Sequence, residues 1–259
     1  MEKFVRRVYD KLTSSFLLEI SIIICMAIVI TGARRIGLYV AKKFLEDGKN
    51  VAVVYNSKNP CDEIEGIFCI KKDLSKDSSG VVDVVFERFG KIEAFIHMAS
   101  PYYKVPINNF SIEEYRYYNS VIVESFLNIG VEAFKMMMKN EGHVKGRIVA
   151  FGDWAIMHTP YKDYAPYFVA KAGLHGAVLT LAKEFAPHVL VNALALGPVL
   201  KPEDMEKEEW HKIVANTPLK KEVSLEDIYS VLKLFLETTS ITGAILPIDG
   251  GRHIKGVSS

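Results

Sequence analysis

The stretch Ala27–Gly37, AIVITGARRIG, joins a short apolar run to a helical pattern through a glycine-containing turn. Glycine at such a turn lets the backbone approach a ligand closely, and the N-terminus of the following helix attracts a pyrophosphate. The turn alone is a weak signal, because turns and helix starts commonly use glycine. Its place between a strand and a helix strengthens the signal. The sequence therefore predicts a dinucleotide-binding unit that includes Gly32, Arg34, Arg35, Ile36 and Gly37.

Beyond this turn, apolar runs alternate with helical patterns. The runs after Ala27–Ile30 lack strict polar alternation, as expected for strands covered on both faces. They are Val51–Tyr55, Ile67–Ile70, Ala94–Met98, Ile148–Phe151, Val189–Leu196 and Ala244–Ile248. Helical spacing is found in Leu38–Leu45, Val81–Phe89, Tyr115–Lys139, Val169–Glu184 and Leu225–Glu237. Strands that alternate with helices pair in parallel through right-handed crossovers. We predict an α/β fold, a three-layer Rossmann-type doubly wound sheet of about seven parallel strands flanked by helices.

The polar stretch Leu200–Glu222 does not continue this alternation. It is charged and punctuated by prolines. Long polar connections of this kind are commonly functional. We expect it to run over one edge of the site.

Length and charge limit the function classes. The chain has 259 residues and a formal net charge of +1, with lysine and arginine scattered along it. This size suits one large domain, which we place at residues 26–259, and the charge argues against a general nucleic-acid partner or an acidic membrane surface. The histidines and cysteines do not cluster at ligand spacing, so no metal site is expected.

We interpret residues 1–25 as an N-terminal extension. It is either an accessory segment or the result of a start codon assigned too early, because translation could also begin at Met26. Phe16–Ile30 could be interpreted as a signal peptide or membrane anchor. However, it contains Glu19 and is shorter than the ~20 apolar residues that a spanning helix needs. Its last part also leads directly into the glycine turn. We therefore expect no stable membrane insertion.

The three cysteines, Cys25, Cys61 and Cys69, show no CxxC or paired spacing. An odd, sparse set is typical of a reduced cytoplasmic protein in which each cysteine is a small buried apolar residue. We expect a cytoplasmic location.

Charge at the end of the second strand indicates the cofactor. An acid there would bind the NAD ribose and repel a 2′-phosphate. Here the strand is followed by Asn56, Ser57 and Lys58, while Arg34 and Arg35 lie in the first turn. NADPH is favoured over NADH, although both arginines could instead be merely solvated.

A tyrosine with a lysine four residues later is the candidate catalytic pair. The two share one helix face, and the ammonium is expected to lower the phenol pKa, which is otherwise about 10. The spacing occurs three times, at Tyr39–Lys43, Tyr167–Lys171 and Tyr229–Lys233. Only Tyr167 and Lys171 follow a buried strand whose end carries a carboxylate, Asp153, where α/β sheets bind ligands. The sequence favours Tyr167, Lys171 and Asp153 as the catalytic group.

Together these motifs resemble the short-chain dehydrogenase/reductase superfamily. The resemblance is carried by TGARRIG, Asp73-Leu74, Tyr167-x-x-x-Lys171, Val191-Asn192-Ala193 before Gly197-Pro198, and Thr242-Gly243 before Asp249-Gly250-Gly251. It covers Met26 to about Ile254. It implies a Rossmann-type fold and NAD(P)H hydride transfer, with Tyr167 as proton donor, Lys171 on the nicotinamide ribose and Asp73 near adenine. It also implies a homo-oligomer, a tetramer or dimer. The cofactor positions implied by the family are Asp73, Leu74, Ala99, Ser100, Tyr167, Lys171, Gly197, Pro198 and Val199.

Several positions depart from the family pattern. Arg35 stands where a glycine is usual, His97-Met98-Ala99-Ser100 replaces Asn-Asn-Ala-Gly, and Asp153 replaces the catalytic serine. No asparagine aligns cleanly with the family's helix-four asparagine, and Asn119 is a few positions off. An arginine at the position of Arg35, the pair Ala99-Ser100 and an aspartate at the position of Asp153 occur together in the branch of pteridine reductases and dihydromonapterin reductases. That branch implies an aromatic residue, here Tyr102, stacked on the substrate.

Elementary electrostatics favours the same branch. A carboxylate about 4 Å from a developing alkoxide would oppose that charge by roughly 4 kcal/mol at an effective dielectric of 20, or about three decades in rate. The C=N bond of a dihydropterin instead takes a proton on nitrogen, and its amidine-like N–H edge suits a carboxylate. Asp153 is thus interpreted as a substrate selector, although a carboxylate at this position could simply cap a loop.

The sequence predicts an NADPH-dependent reductase of a 7,8-dihydropterin, such as a dihydromonapterin, dihydrobiopterin or dihydrofolate-like compound. Its substrate residues would be Arg35, Tyr102, Asp153 and Tyr167. One alternative is a 3-oxoacyl-[acyl-carrier-protein] or other carbonyl reductase of the superfamily. A second is a non-catalytic NADP-binding regulator, which the altered His97-Met98 pair and the missing asparagine would suit.

Overall fold

The structure is a computed structural model and describes residues 26–203 and 205–255. The predictions for the extension, for Cys25 and for an anchor beginning at Phe16 lie mainly outside these residues. The last residues of the anchor candidate form the first strand, so they belong to the sheet.

Seven strands form one parallel sheet, as predicted, and their order is β3-β2-β1-β4-β5-β6-β7. Their bounds are β1 Met26–Thr31, β2 Asn50–Tyr55, β3 Phe68–Lys71, β4 Lys91–His97, β5 Gly146–Asp153, β6 Val189–Leu196 and β7 Ile245–Ile248. The direction of winding reverses between β1 and β4. The carboxyl ends of these two strands therefore flank the crevice where doubly wound sheets bind ligands.

Helices cover both faces of the sheet. They are α1 Ile36–Glu46, α2 Val81–Phe89, α3 Ile112–Asn119, α4 Ser125–Met137, α5 Ala165–Phe185, α6 Lys207–Ala215 and α7 Leu225–Glu237. Successive residues of β1 serve the two faces in turn: Ile28 and Ile30 pack in the layer of α1 and α7, whereas Ala27 and Val29 pack in the layer of α2, α4 and α5. This two-sided burial explains why the strands show no polar alternation.

Two helical details differ from the sequence prediction. The single helix expected over Tyr115–Lys139 is divided into α3 and α4 by a π-helical turn at Ser120–Glu124. The polar stretch Leu200–Glu222 contains α6, whose buried Trp210 holds it against the protein. Charged residues on both sides of this tryptophan mask the helical pattern in the sequence.

Cys61 and Cys69 form a disulfide that joins the segment after β2 to β3. The prediction of unpaired thiols is therefore wrong for these two residues. Their spacing of 8 residues resembles no familiar motif. The two side chains meet because the short helical turn Pro60–Asp62, in the connection between β2 and β3, lies against β3. The predicted cytoplasmic location loses the support that it drew from unpaired cysteines.

Within the residues that the structure describes, no helix is long and apolar enough to cross a membrane.

Candidate active site

One cavity of about 1040 Å³ lies at the carboxyl ends of β1, β4, β5 and β6. Its volume is at the upper end of the roughly 300–1,000 Å³ typical of ligand pockets. Its lining includes every residue predicted from the sequence: Gly32, Arg34, Arg35, Ile36, Gly37, Asn56, Ser57, Lys58, Asp73, Leu74, Ala99, Ser100, Tyr102, Asp153, Tyr167, Lys171, Gly197, Pro198 and Val199. The fold thus brings these separated segments to one place.

Tyr167 and Asp153 are in direct contact inside this cavity. The Tyr167 hydroxyl donates a hydrogen bond of 2.8 Å to Oδ2 of Asp153, while Oδ1 accepts the backbone N–H of Ala155 at 2.8 Å. Asp153 is the last residue of β5, and Tyr167 lies in the first turn of α5. Both side chains are buried. The carboxylate therefore does cap the turn after β5, yet its other oxygen remains engaged with the candidate proton donor.

The pKa of Tyr167 differs from the sequence prediction. Burial raises this pKa well above its ordinary value, and the adjacent Asp153 carboxylate raises it further. The expectation that Lys171 lowers the phenol pKa is wrong for this state of the protein, because the phenol points to a carboxylate. Burial also raises the pKa of Asp153, against the opposing effects of the Ala155 N–H, Tyr167, Lys171 and Arg252. The pair therefore retains a proton strongly.

Lys171 lies one helical turn after Tyr167, with its Nζ atom 5.7 Å from the tyrosine ring centroid. It donates a hydrogen bond of 2.5 Å to the carbonyl of Phe151 in β5. Burial lowers the Lys171 pKa to about 8, although Asp153 opposes this shift. The ammonium is thus held at the cavity wall, and burial makes it easier to deprotonate than an exposed lysine.

The two other Tyr-x-x-x-Lys pairs have similar internal geometry but different surroundings. In each, the lysine Nζ lies 5.9 Å from the ring centroid. The Tyr39 hydroxyl donates to Glu226, and the Tyr229 hydroxyl donates to Asp47, which also pairs with Lys233. Neither tyrosine lines the cavity. The position of a pair relative to the strand ends, rather than its spacing, distinguishes Tyr167–Lys171.

The first turn can accept a dinucleotide. Gly32 has φ +89°, and a Cβ there would lie 2.7 Å from the backbone of Met98 and Ala99. The turn is therefore packed tightly against the end of β4, an arrangement that only glycine permits. Within the described helix α1, no side chain caps the N-terminus and no acid lies in the first turn. Its partial positive charge thus faces the cavity, where it favours a phosphate.

Arg35 adopts φ 48° at the position where the family usually has glycine. A positive φ is rare for a residue with a Cβ. The Arg35 guanidinium donates a hydrogen bond of 2.5 Å to the carbonyl of Lys201, and Arg34 forms an ion pair of 3.6 Å with Glu203. Both contacts join the glycine turn to the start of the Leu200–Glu222 segment. This segment does run over one edge of the site, and it contributes Trp210 and Glu209 to the cavity wall.

The residues after β2 carry no acid, as the NADPH prediction requires. Asn56, Ser57 and Lys58 are exposed, and Lys58 pairs with Glu63. Exposed pairs of this kind contribute little to stability. Asp73 accepts hydrogen bonds from the backbone and hydroxyl of Ser75, which explains its lowered pKa.

Tyr102 closes the cavity above Tyr167. Its ring stacks on Tyr164 with centroids 4.8 Å apart and meets Tyr167 edge-on at 5.0 Å. One face of Tyr102 is therefore occupied in this structure. A flat substrate would use the opposite face or replace Tyr164.

Arg252, Trp154 and Tyr161 complete the wall beside Asp153. The Arg252 guanidinium lies 4.7 Å from the Trp154 ring centroid and 5.5 Å from that of Tyr161. The Trp154 indole N–H donates to the Tyr161 hydroxyl at 2.9 Å. Arg252 is a site residue that the sequence did not predict. Its only signal was the closing Gly-Gly-Arg sequence, which gives no indication of contact with a segment far away along the chain.

His97 and Asn119 lie outside the cavity lining. His97 accepts or donates a 2.8 Å hydrogen bond with Thr31, and burial lowers its pKa to about 3, so it is neutral. The Asn119 side chain donates to Glu124. Among the described residues, no group of three or more histidines, cysteines or acids is placed to hold a metal.

Comparison with known proteins agrees with this geometry. A family model described as enoyl-(acyl carrier protein) reductase matches residues 31–253. Dihydromonapterin reductase from Escherichia coli O6:K15:H31 (strain 536 / UPEC) is 26% identical over 249 residues, which cover 89% of this chain and 98% of that protein.

Solved structures superpose over a similar range. FolM alternative dihydrofolate reductase 1 from Brucella suis, in complex with NADP, matches with a TM-score of 0.83 and 25% identity, over 91% of this chain and 98% of that chain. Acetoin dehydrogenase from Enterobacter cloacae matches with a TM-score of 0.76 and 24% identity, over 89% and 96% of the two chains. The latter likeness shows the fold alone.

Proposed function

Since the chain belongs to the short-chain dehydrogenase/reductase superfamily and is an oxidoreductase, we propose that it uses NADPH to reduce a 7,8-dihydropterin to the tetrahydro form. The observation that carries this proposal is the hydrogen bond between Tyr167 and Asp153. A serine hydroxyl would suit a developing alkoxide, whereas this carboxylate suits a substrate that presents N–H groups.

NADPH is the proposed cofactor because the end of β2 lacks an acid and the cavity carries Arg34, Arg35 and Lys58. The relative from Brucella suis was solved with NADP, which supports the same choice. When bound, the cofactor supplies a hydride. Gly32 and the N-terminus of α1 would hold its pyrophosphate, and Lys171 would bind its nicotinamide ribose.

The chain's own part in the reaction is to hold and deliver a proton. The buried Asp153–Tyr167 pair retains a proton between Oδ2 and the phenol oxygen. The substrate C=N bond gains hydride at carbon and this proton at nitrogen, which balances the reduction. The buried Lys171 ammonium, held by the Phe151 carbonyl, would stabilise the phenolate that remains until a proton from solvent replaces the one lost.

The proposed substrate contacts are Asp153 with the N–H edge of the pterin and Tyr102 with its flat face. Asp153 accepts only one hydrogen bond at each oxygen from the described residues. A carboxylate has about four lone-pair sites, so capacity for substrate N–H donors remains. Arg35 would contact the pyrophosphate and the substrate together, from its place in the first turn.

Reduction of a thioester-linked acyl group at its carbonyl is the second candidate. The one observation on its side is that the matching family model is described as acting on acyl-carrier-protein substrates, although the enoyl reduction that it names occurs at a C=C bond. Asp153 argues against it on electrostatic grounds. A third possibility, a non-catalytic regulator, does not account for the buried Tyr167–Lys171–Asp153 group.

A direct assay separates these functions. NADPH absorbance is followed with dihydromonapterin or dihydrobiopterin, then with an acetoacetyl thioester, and each is repeated with NADH. The proposal predicts turnover of the dihydropterins with preference for NADPH. Turnover of the thioester alone would overturn it, and tight NADPH binding without any turnover would favour the regulator.

We also propose that the protein is a homo-oligomer, a dimer or tetramer. The apolar side chains of Val169 and Leu179 on α5 are 55% and 52% exposed, and an interface between subunits would cover them. Light scattering during size-exclusion chromatography tests this, and a mass of 29.1 kDa would identify a monomer.

A further inference from the structure

The Arg252 guanidinium is a fixed cation in the wall of the cavity that contains Asp153 and Tyr167. It is partly buried and lies against two aromatic rings, those of Trp154 and Tyr161. Cation–π contacts with these rings hold the guanidinium plane in position. The hydrogen bond between Trp154 and Tyr161 fixes the rings relative to each other.

The backbone beneath Arg252 is fixed as well. Asp249 is buried, and its carboxylate accepts the backbone N–H groups of Gly251 and His253 and contacts Nδ1 of His253 at 3.0 Å. These bonds shape the turn that carries Arg252. They also engage Asp249, the acid nearest to Arg252 in the sequence.

Within residues 26–203 and 205–255, the Arg252 guanidinium has no ion pair and no side-chain hydrogen bond, whereas Arg34, Lys58 and Lys72 in the same cavity each pair with an acid. A partly desolvated guanidinium with free donors is costly unless an acceptor is supplied. Its donors match a carboxylate or phosphate in the fork geometry that arginine offers. The missing acceptor is therefore expected to come with the ligand.

Arg252 also lies close enough to Asp153 to favour the charged form of that carboxylate. The cation is thus beside the group proposed to hold the substrate's N–H edge. A ring bound at Asp153 would direct its substituent along the wall formed by Trp154 and Tyr161. Arg252 is placed to meet an acidic group on that substituent.

We propose that Arg252 is a specificity-determining residue that binds an anionic group, a carboxylate or a phosphate ester, on the side chain of the substrate. This inference rests on the proposed pterin reduction and names the substrate class more closely. It does not assign Arg252 any part in proton or hydride transfer.

The test compares three dihydropterins in the intact protein: dihydrofolate, with carboxylates; dihydroneopterin monophosphate, with a phosphate; and dihydrobiopterin, which is neutral. Arg252→Met removes the charge but keeps an apolar chain against Trp154. We expect kcat/KM to fall about 10- to 100-fold for whichever acidic substrate is native, and less than about threefold for dihydrobiopterin. Arg252→Lys should restore part of the loss. Lys255→Met is the matched control, because it removes the same charge from an exposed position of the same segment outside the cavity.

An equal effect of Arg252→Met on acidic and neutral substrates, or no effect on either, overturns the inference while leaving pterin reduction intact. Reduction of none of the three, nor of dihydromonapterin, overturns the proposed function instead. The affinities of folate and biopterin for the protein loaded with NADP⁺ are measured in parallel by calorimetry. This shows whether the site prefers the anionic ligand even if neither is turned over. Equal affinities for the two, unchanged by Arg252→Met, would also contradict the inference.

Discussion

The hydroxyl of Tyr167 donates to the carboxylate of Asp153 at 2.8 Å, although the two residues belong to different elements, α5 and β5. This hydrogen bond places the proposed proton donor, Tyr167, against a buried carboxylate, that of Asp153. It has two opposite effects, since it secures the orientation of the phenol and makes the phenol harder to ionise. The nearby Lys171 ammonium is expected to stabilise the phenolate once the proton has left.

The Tyr167→Phe variant should lose about 100- to 10,000-fold in kcat, the usual contribution of a general acid. NADPH affinity should change little, because the ring and Lys171 remain. Fluorescence titration of NADPH and steady-state dihydropterin reduction measure the two effects.

Tyr229→Phe is the matched control for this variant. Its hydroxyl bonds Asp47, and its lysine partner lies at nearly the same distance from the ring as in the Tyr167 pair. Activity per folded molecule should stay within about twofold of the parent. An equal loss in both variants would show that the Tyr-x-x-x-Lys spacing matters only for folding.

Activity should depend on pH through Lys171. Burial places its pKa at about 8, so the ammonium is present below that pH and is lost above it. We expect kcat/KM for the dihydropterin to be highest below pH 8 and to decline as pH rises further, about tenfold per unit. The Lys171→Met variant should lack this inflection. An inflection that persists in Lys171→Met would assign the titration to another group.

The disulfide between Cys61 and Cys69 can be tested by counting the free thiols of the protein. Because Cys61 and Cys69 are joined, protein that is unfolded without a reductant should show one reactive thiol, that of Cys25. After reduction it should show three. The loop between them is short, so reduction should lower the free energy of unfolding by about 2–3 kcal/mol, as measured by urea denaturation. Three thiols before reduction would show that the bond does not form.

Residues 1–25 are predicted to be dispensable. Because β1 begins at Met26 and is central in the sheet, a chain that starts at Met26 retains every described strand. We expect unchanged dihydropterin reduction and thermal unfolding. Insolubility or lost activity would show that the extension belongs to the domain.

The sequence predicts the fold well because its evidence is local. Strands buried on both faces appear as unbroken apolar runs, and Asp153 and Tyr167 could be paired because one ends a strand and the other begins the next helix. The pKa of Tyr167 could not be foreseen, since it depends on burial and on which side chain the hydroxyl faces. Arg252 was missed for a related reason: its contact with Trp154 is created by the fold of the whole chain.

The cysteine pair and α6 show the same limit. The disulfide joins Cys61, in the turn after β2, to Cys69 in β3, a contact that spacing alone does not reveal. In α6, one buried tryptophan among charged residues is enough to dock a helix but too little to produce a periodic apolar pattern.

Asp153→Ser tests the selector role most directly, with kcat/KM measured for a dihydropterin and for an acetoacetyl thioester in the same preparation. We predict that the ratio of the two constants, dihydropterin over thioester, falls at least about 100-fold. The serine removes both the acceptor for N–H groups and the charge that opposes an alkoxide. A ratio that stays the same, or a rise in dihydropterin reduction, would contradict it.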